Sequence, residues 1–338
     1  MNKTIVMLII SLLILTGCGK EEKKVEKKKE EVKVEEKVKI VDLESNSRPY
    51  AVVINNYPGA VKVQSGLNDA YMIYEFPIEG GLTRSLALYK DKIDVKIGTV
   101  RSARHNYIDY ALENDAIFVH FGWSHEAENQ IMQLGINNID GNYMDPNPFW
   151  RENPEGLATE HTVYTNLSKI IDYNNNVKKY RTTTEKEAVL NYVTKTVDLS
   201  KNEDAISAND VDFSYGYSFD VKFSYDEKTK RYNRYVNGSN HKDYFTGEQY
   251  DTKNIIVVFL DWGVLKHLVD AAGSNYLDLN NIGSGNGYYI TNGYAIPIRW
   301  KKDSKESQTK YLYEDKEIDV SDGNTYIMFN NEDNVKIG

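Results

Sequence analysis

Arginine and histidine gather where this chain passes from strand to helix or into a loop. Arg84 opens the strand-like run Thr83–Lys90, and Arg101-Ser102-Ala103-Arg104-His105 lies between a strand and a helix. His120 closes the apolar run that begins at Ala116, while Arg151 and His161 follow in later loops. A strand-to-helix junction offers free backbone N–H groups and the positive end of a helix dipole, both of which favour an anion. Guanidinium groups converging there can grip a carboxylate or a phosphate bidentately. The pattern predicts a ligand cleft lined by Arg84, Arg101, Arg104, His120, Arg151 and His161. In the competing reading, Arg101 and Arg104 pair with local carboxylates and His120 is a hydrogen-bonded core histidine.

Templates for catalysis fit poorly. The sequence has no H-E-x-x-H, G-x-S-x-G or P-loop pattern. His120 and His125 straddle a strand end and a helix start, and a metal site made by adding Asp140, Asp145 and His161 has no spacing argument behind it. No metal or cofactor is expected. Glu75 and Glu79 fall on one face of a strand, a pairing a glycosidase could use but one that solvent-facing hairpin acids also produce. If there is chemistry, His120 or His161 is the candidate general acid/base, with the arginines stabilising developing negative charge. In the second half, the glycine-rich Ile282-Gly283-Ser284-Gly285-Asn286-Gly287 runs into a strand rather than a helix, so a phosphate cradle is not indicated. Trp300-Lys301-Lys302 reads as a buried tryptophan followed by solvated lysines.

The elements that must hold these residues alternate between strand and helix in the first half. Strands are predicted over 50–56, 70–78, 83–90 and 116–121, each an apolar or β-branched run bounded by turn residues. Helices are predicted from about 104 to 113, from 124 to 134 with Ser124 as N-cap, and from about 166 to 173. The stretch 174–210 is polar, with a short helix at 185–193. Beyond it come short alternating runs such as Tyr217–Tyr225, in which Phe219, Val221, Phe223 and Tyr225 share a face. The expected fold class is α+β: an N-terminal mixed α/β domain over 48–175, a linker over 176–210, and a mainly antiparallel β domain over 211–338, either a sandwich or a partly open barrel.

Cys18 is the single cysteine of the 338 residues and ends the sequence Leu15-Thr16-Gly17-Cys18. Lys3 and about eleven mostly apolar residues precede it, too short a run to span a bilayer and shaped like a secretory signal. Residues 1–18 read as a lipoprotein signal peptide whose cysteine receives the lipid; an ordinary cleaved signal with an incidental cysteine is the alternative. Lipidation leaves no thiol for a disulfide, a zinc site or a nucleophile. Residues 19–47 form a tether built largely from Glu, Lys and Val, without the apolar content to build a core. Extended, it reaches on the order of 80–100 Å, and as a flexible coil roughly 30 Å. The net charge of −9 argues against nucleic acid as a partner and against electrostatic adhesion to an anionic membrane. Attachment to the outer face of the cytoplasmic membrane therefore rests on the lipid.

Several blocks together resemble the YerB-like lipoprotein family of Gram-positive bacteria, a two-part domain of unknown function with N- and C-terminal parts. They include Arg48-Pro49 with Val52-Val53-Ile54-Asn55-Asn56, Glu79-Gly80-Gly81-Leu82-Thr83-Arg84, and Ile97-Gly98-Thr99-Val100-Arg101-Ser102-Ala103-Arg104. Asn240-His241-Lys242-Asp243 and Gly323-Asn324-Thr325-Tyr326 carry the likeness into the second half. The family has Pro-His-Asn-Leu-Tyr-Thr where this chain has Glu160-His161-Thr162-Val163-Tyr164-Thr165, a change that alters the polar network expected around His161. The resemblance implies a membrane-anchored envelope protein and no particular reaction. The leading expectation is a non-enzymatic binding or scaffold protein, its cleft taking a peptidoglycan carboxylate or an anionic wall-polymer phosphate. A wall hydrolase or transferase, and a module that only docks envelope proteins, are the alternatives.

Overall fold

Tyr50-Ala51-Val52-Val53-Ile54-Asn55 lacks the polar alternation of a surface strand, and β1 (Tyr50–Asn55) is buried along its whole length. It lies inside a sheet. β2 (Met72–Ile78) and β3 (Leu82–Tyr89) form an antiparallel hairpin, and β3 pairs antiparallel with β1. β4 (Lys96–Gly98) leaves that sheet and leads through the arginine-rich junction to α1 (His105–Glu113). β5 (Ile117–His120) then pairs parallel with β1, and α2 (His125–Leu134) crosses over to β6 (Asn138–Asp140), parallel with β5. β7 (Phe149–Arg151) and β8 (Val163–Asn166) join β4 in a small antiparallel sheet before α3 (Leu167–Tyr173). This computed structural model describes residues 37–143, 148–216, 219–270 and 272–338, so Cys18, the signal segment, most of the tether, Asp145 and Tyr217 lie outside the described residues.

The large sheet does not stop at the end of the first half. The free edge of β2 pairs parallel with Thr325–Asn330, which in turn pairs with Asn254–Phe259, and the order continues through Gly283–Thr291, Tyr294–Lys302 and Lys310–Tyr313. One twelve-stranded sheet thus draws on both halves of the sequence. Successive side chains of β1 sort onto opposite faces, as strand geometry requires. Ala51 and Val53 pack with Tyr107 and Ile108 of α1 and Ala127 and Ile131 of α2. Val52 and Ile54 face Ile97 and Val163 of the small sheet, in a core that extends to Phe213, Phe223 and Tyr232 of a second, six-stranded sheet. The N-terminal part is mixed α/β and the C-terminal part mainly antiparallel β, layered on a shared core.

Local signals set the helix ends. Ser124 Oγ accepts the Ala127 amide at 3.3 Å and Asn166 Oδ1 accepts that of Ser168 at 2.9 Å, caps of about 1 kcal/mol each. Gly135 ends α2 in the left-handed region, where a glycine carries no steric penalty.

Three expectations are corrected. The segment 185–193 is not a helix: Asn191–Val193 is a strand paired with Asp319–Ser321, because Leu190 and Tyr192 belong to the main core and Tyr192 Oη donates to Tyr71 O at 3.2 Å. Lys302 is not solvated. It is fully buried, with Nζ donating to Glu113 Oε2 at 2.7 Å, and Glu113 also accepts from Tyr74 and Thr309. Glu75 and Glu79 are not solvent-facing hairpin acids. Both are buried, Glu75 against Arg234 at 2.7 Å and Glu79 against Arg104.

Candidate functional site

β1, β5 and β6 run parallel and end at Asn55, His120 and Asp140, and the segments after β5 and β6 line a cleft of ≈ 600 Å³. A cleft beyond the carboxyl ends of parallel strands is the usual place for a ligand in an open α/β sheet. The junction between β4 and α1 threads across those ends. Arg101 N donates to Val53 O at 3.0 Å and Phe121 N donates to Arg101 O at 3.0 Å. That clamp holds Arg101 and Ser102 on the cleft wall, beside Gly122, Trp123 and Asn142. Gly122 has a φ of +77°, and a Cβ there would lie 2.9 Å from Asn142 Nδ2 and 3.3 Å from Ser102 Oγ, so the wall requires glycine at that point. Arg151 and Glu160 also line the cleft. Val269 and Tyr276 reach the cleft from a two-stranded hairpin (Trp262–Val269 with Asn275–Leu279). The hairpin docks on α1 through His105 Nε2–Asp278 at 3.1 Å and Asn106 Nδ2 donating to Leu277 O at 3.2 Å.

The predicted basic residues fall into different situations. Arg104 is paired: Nε lies 3.1 and 3.2 Å from the two Glu79 carboxylate oxygens, Nη2 also donates to Glu79, and the Tyr276 ring lies 4.8 Å from the guanidinium. Burial opposes its charge, but the Glu79 contacts outweigh that and raise its pKa. Arg84 is buried just behind the cleft, against Ser102, and among the described residues it has no carboxylate partner. Nη1 donates to Ser102 O at 2.7 Å while Nε is buried without a partner. Burial, then the charge of Arg104, pushes its pKa down to about 9. Among the described residues the Arg101 guanidinium makes no hydrogen bond, and its Nε is also buried unpaired. Burial lowers its pKa; Glu160 offsets part of that effect, and Arg104 and Arg151 add to it. Arg151 sits at the exposed rim, its Nη1 donating to Thr159 O and its guanidinium 5.1 Å from the Phe121 ring.

The histidines divide as well. His120 is fully buried and does not line the cleft. Its Nδ1 donates to Gly122 O at 2.9 Å, near Asp140 at 3.7 Å, and burial lowers its pKa despite that carboxylate. It fits the core-histidine reading. His161 lies at the margin, stacked on Tyr57 with ring centroids 4.3 Å apart and Nδ1 2.9 Å from Asn55 Nδ2. Asn55 donates that bond, so Nε2 carries the proton and faces Glu160 at 4.0 Å. Burial first, then Arg101, lowers the His161 pKa. Thr162 follows this histidine in the chain, and the amide that meets its ring is Asn55 of β1. Glu160, Trp123 and Tyr276 were not singled out in the sequence. Glu160 stands beside His161 and could have been; Tyr276 sits far along the chain with no local signal.

Comparison with known proteins agrees with this architecture. Residues 38–181 match the model described as protein of unknown function (DUF3048) N-terminal domain, and residues 209–327 match that of the DUF3048 C-terminal domain. The chain is 30% identical over 309 residues to the putative lipoprotein YerB of Bacillus subtilis (strain 168), covering 88% of this chain and 86% of that protein. The crystal structure of the Bacillus subtilis YerB protein superposes with a TM-score of 0.73 at 28% identity, covering 86% of this chain and 94% of that one. With both parts matched in order and one relative aligned along most of its length, the chain belongs to the two-part DUF3048 family.

Proposed function

We propose that this protein is a lipid-anchored, extracytoplasmic binding protein, held by Cys18 to the outer face of the cytoplasmic membrane, whose cleft captures an oxyanion of the cell envelope. The anchoring part rests on the Leu15-Thr16-Gly17-Cys18 sequence and on the similarity to a protein named a putative lipoprotein. Among the described residues no helix is long and apolar enough to cross a membrane.

The binding part rests on one observation: among the described residues Arg101, in the cleft, and Arg84, behind it, have no carboxylate partner, whereas the neighbouring Arg104 has one. Buried like charges with unmet donors are unfavourable in the ligand-free protein and become favourable when an anion takes up those donors. Arg101 meets the anion, Arg84 reinforces it from behind, and Ser102, Arg151 and His161 border it. The test is calorimetric titration of the detergent-solubilised full chain with inorganic phosphate and with muropeptides. Binding that Arg101→Ala abolishes supports the reading; no heat with any of these probes, for a folded protein, removes it.

A further inference from the structure

The cleft carries negative charge as well as positive. Glu160 lines it from the short turn Thr159–His161, with its side chain 52% exposed. Among the described residues no lysine or arginine nitrogen comes within 4.0 Å of that carboxylate, and its one ionisable neighbour within that range is His161 Nε2 at 4.0 Å. The nearby rim cation, Arg151, is already turned toward Thr159 O and Thr162 Oγ1. Glu160 and Arg101 therefore share one cleft without closing an ion pair on each other. Each still feels the other: Glu160 opposes the lowering of the Arg101 pKa, and Arg101 is among the charges that hold the Glu160 carboxyl below its usual range, after its own backbone amide.

A lone phosphate or carboxylate fills little of a ≈ 600 Å³ cleft and leaves Glu160 as a repulsive neighbour. A ligand that carries a cation beside its anion turns that repulsion into a second contact. We propose that the cleft recognises a zwitterion, its oxyanion on Arg101 with Arg84 behind and its primary ammonium on Glu160. This rests on the anion-binding reading and narrows it to compounds with an ammonium a few bonds from a phosphate or carboxylate. Two sources share that chemistry, the phosphoethanolamine headgroup of a lipid and a free amino acid or peptide residue.

Two matched probe pairs test it at fixed ionic strength: methyl phosphate against O-phosphoethanolamine, and propionate against alanine. A charge-assisted contact at a half-exposed carboxylate corresponds to about a tenfold gain in affinity for the zwitterion of a pair. The pair with the larger gain identifies the source. Glu160→Gln should erase the gain and tighten binding of the simple anion, since a repulsive charge has gone. Equal affinity within both pairs, with binding still abolished by Arg101→Ala, overturns the zwitterion assignment and leaves the anion site standing. A gain that survives in Glu160→Gln also overturns it. Failure of all four probes on folded protein removes the anion site and this assignment with it.

Discussion

Arg84→Met raises the stability of the ligand-free protein and removes its response to phosphate. Arg84 is only 5% exposed, has no carboxylate partner among the described residues, and has its pKa pushed down from the ordinary guanidinium value to about 9. A displacement of that size corresponds to about 5 kcal/mol of unfavourable burial and repulsion as an upper limit. Methionine fills the space without the charge, although Ser102 O loses its donor, at about 1–3 kcal/mol. The net stabilisation is about 1–3 kcal/mol, comparable to other replacements of buried charges by apolar side chains. For a fold of this size that raises Tm by roughly 2–6 °C. Wild type in saturating phosphate, at about a hundred times Kd, gains about 2.7 kcal/mol, whereas the variant gains almost nothing. Arg104→Met is the opposing control. It strands the 6%-exposed Glu79 and costs about 3–5 kcal/mol. Thermal unfolding of the three proteins with and without phosphate reads all of this. A ligand-free Arg84→Met less stable than wild type, or one that phosphate still stabilises fully, refutes the reasoning.

Lys302→Met leaves the fully buried Glu113 without its cation and costs about 3–5 kcal/mol in urea unfolding. Adding Glu113→Gln recovers part of that, because no buried charge is then stranded. Acid sensitivity arises partly at His241, whose Nδ1 accepts from Arg234 Nη1 at 2.5 Å and whose pKa burial, then Arg234, pushes well below the ordinary value. The unfolded state takes up that proton near pH 6.5 and the folded state does not, so stability falls as pH drops below about 6.5, by about 1.4 kcal/mol per pH unit for this group. His161 acts in the same direction. His241→Asn keeps an acceptor for Arg234 and flattens the slope between pH 6.5 and 5, as urea midpoints across that range will report. Gly122→Ala drives a Cβ toward Asn142 and Ser102 and weakens phosphate binding at least severalfold in calorimetric titration, with circular dichroism confirming an unchanged fold.

The strands and helices around the cleft were largely legible because their signals are local. The unbroken apolar run of β1, the Ser124 cap and the strand closing at His120 each follow from a few adjacent residues. The arginine cluster was legible as a concentration of charge at a junction. Which arginine is free was not, since the answer depends on Glu79, in the turn between β2 and β3, reaching Arg104 rather than Arg84 or Arg101. Lys302 misled for a related reason. A lysine after a buried tryptophan looks solvated unless one knows that Glu113, from α1, lies across the core from it. The strand at 191–193 was hidden because its partner, Asp319–Ser321, is distant in sequence, so its pairing left no local periodicity.

The strand Thr325–Asn330 follows both of its sheet neighbours, β2 and Asn254–Phe259, in the chain, so both are made before it. Until it arrives, each of those strands presents an unpaired edge, the surface on which strands from other chains add. The sheet therefore closes from its two flanks toward the middle, and that closure waits until Thr325–Asn330 has been made. A nascent or truncated chain stopping short of Thr325 is left with a slot at its centre rather than a frayed end. Chaperone protection during synthesis matters most for this protein in that interval.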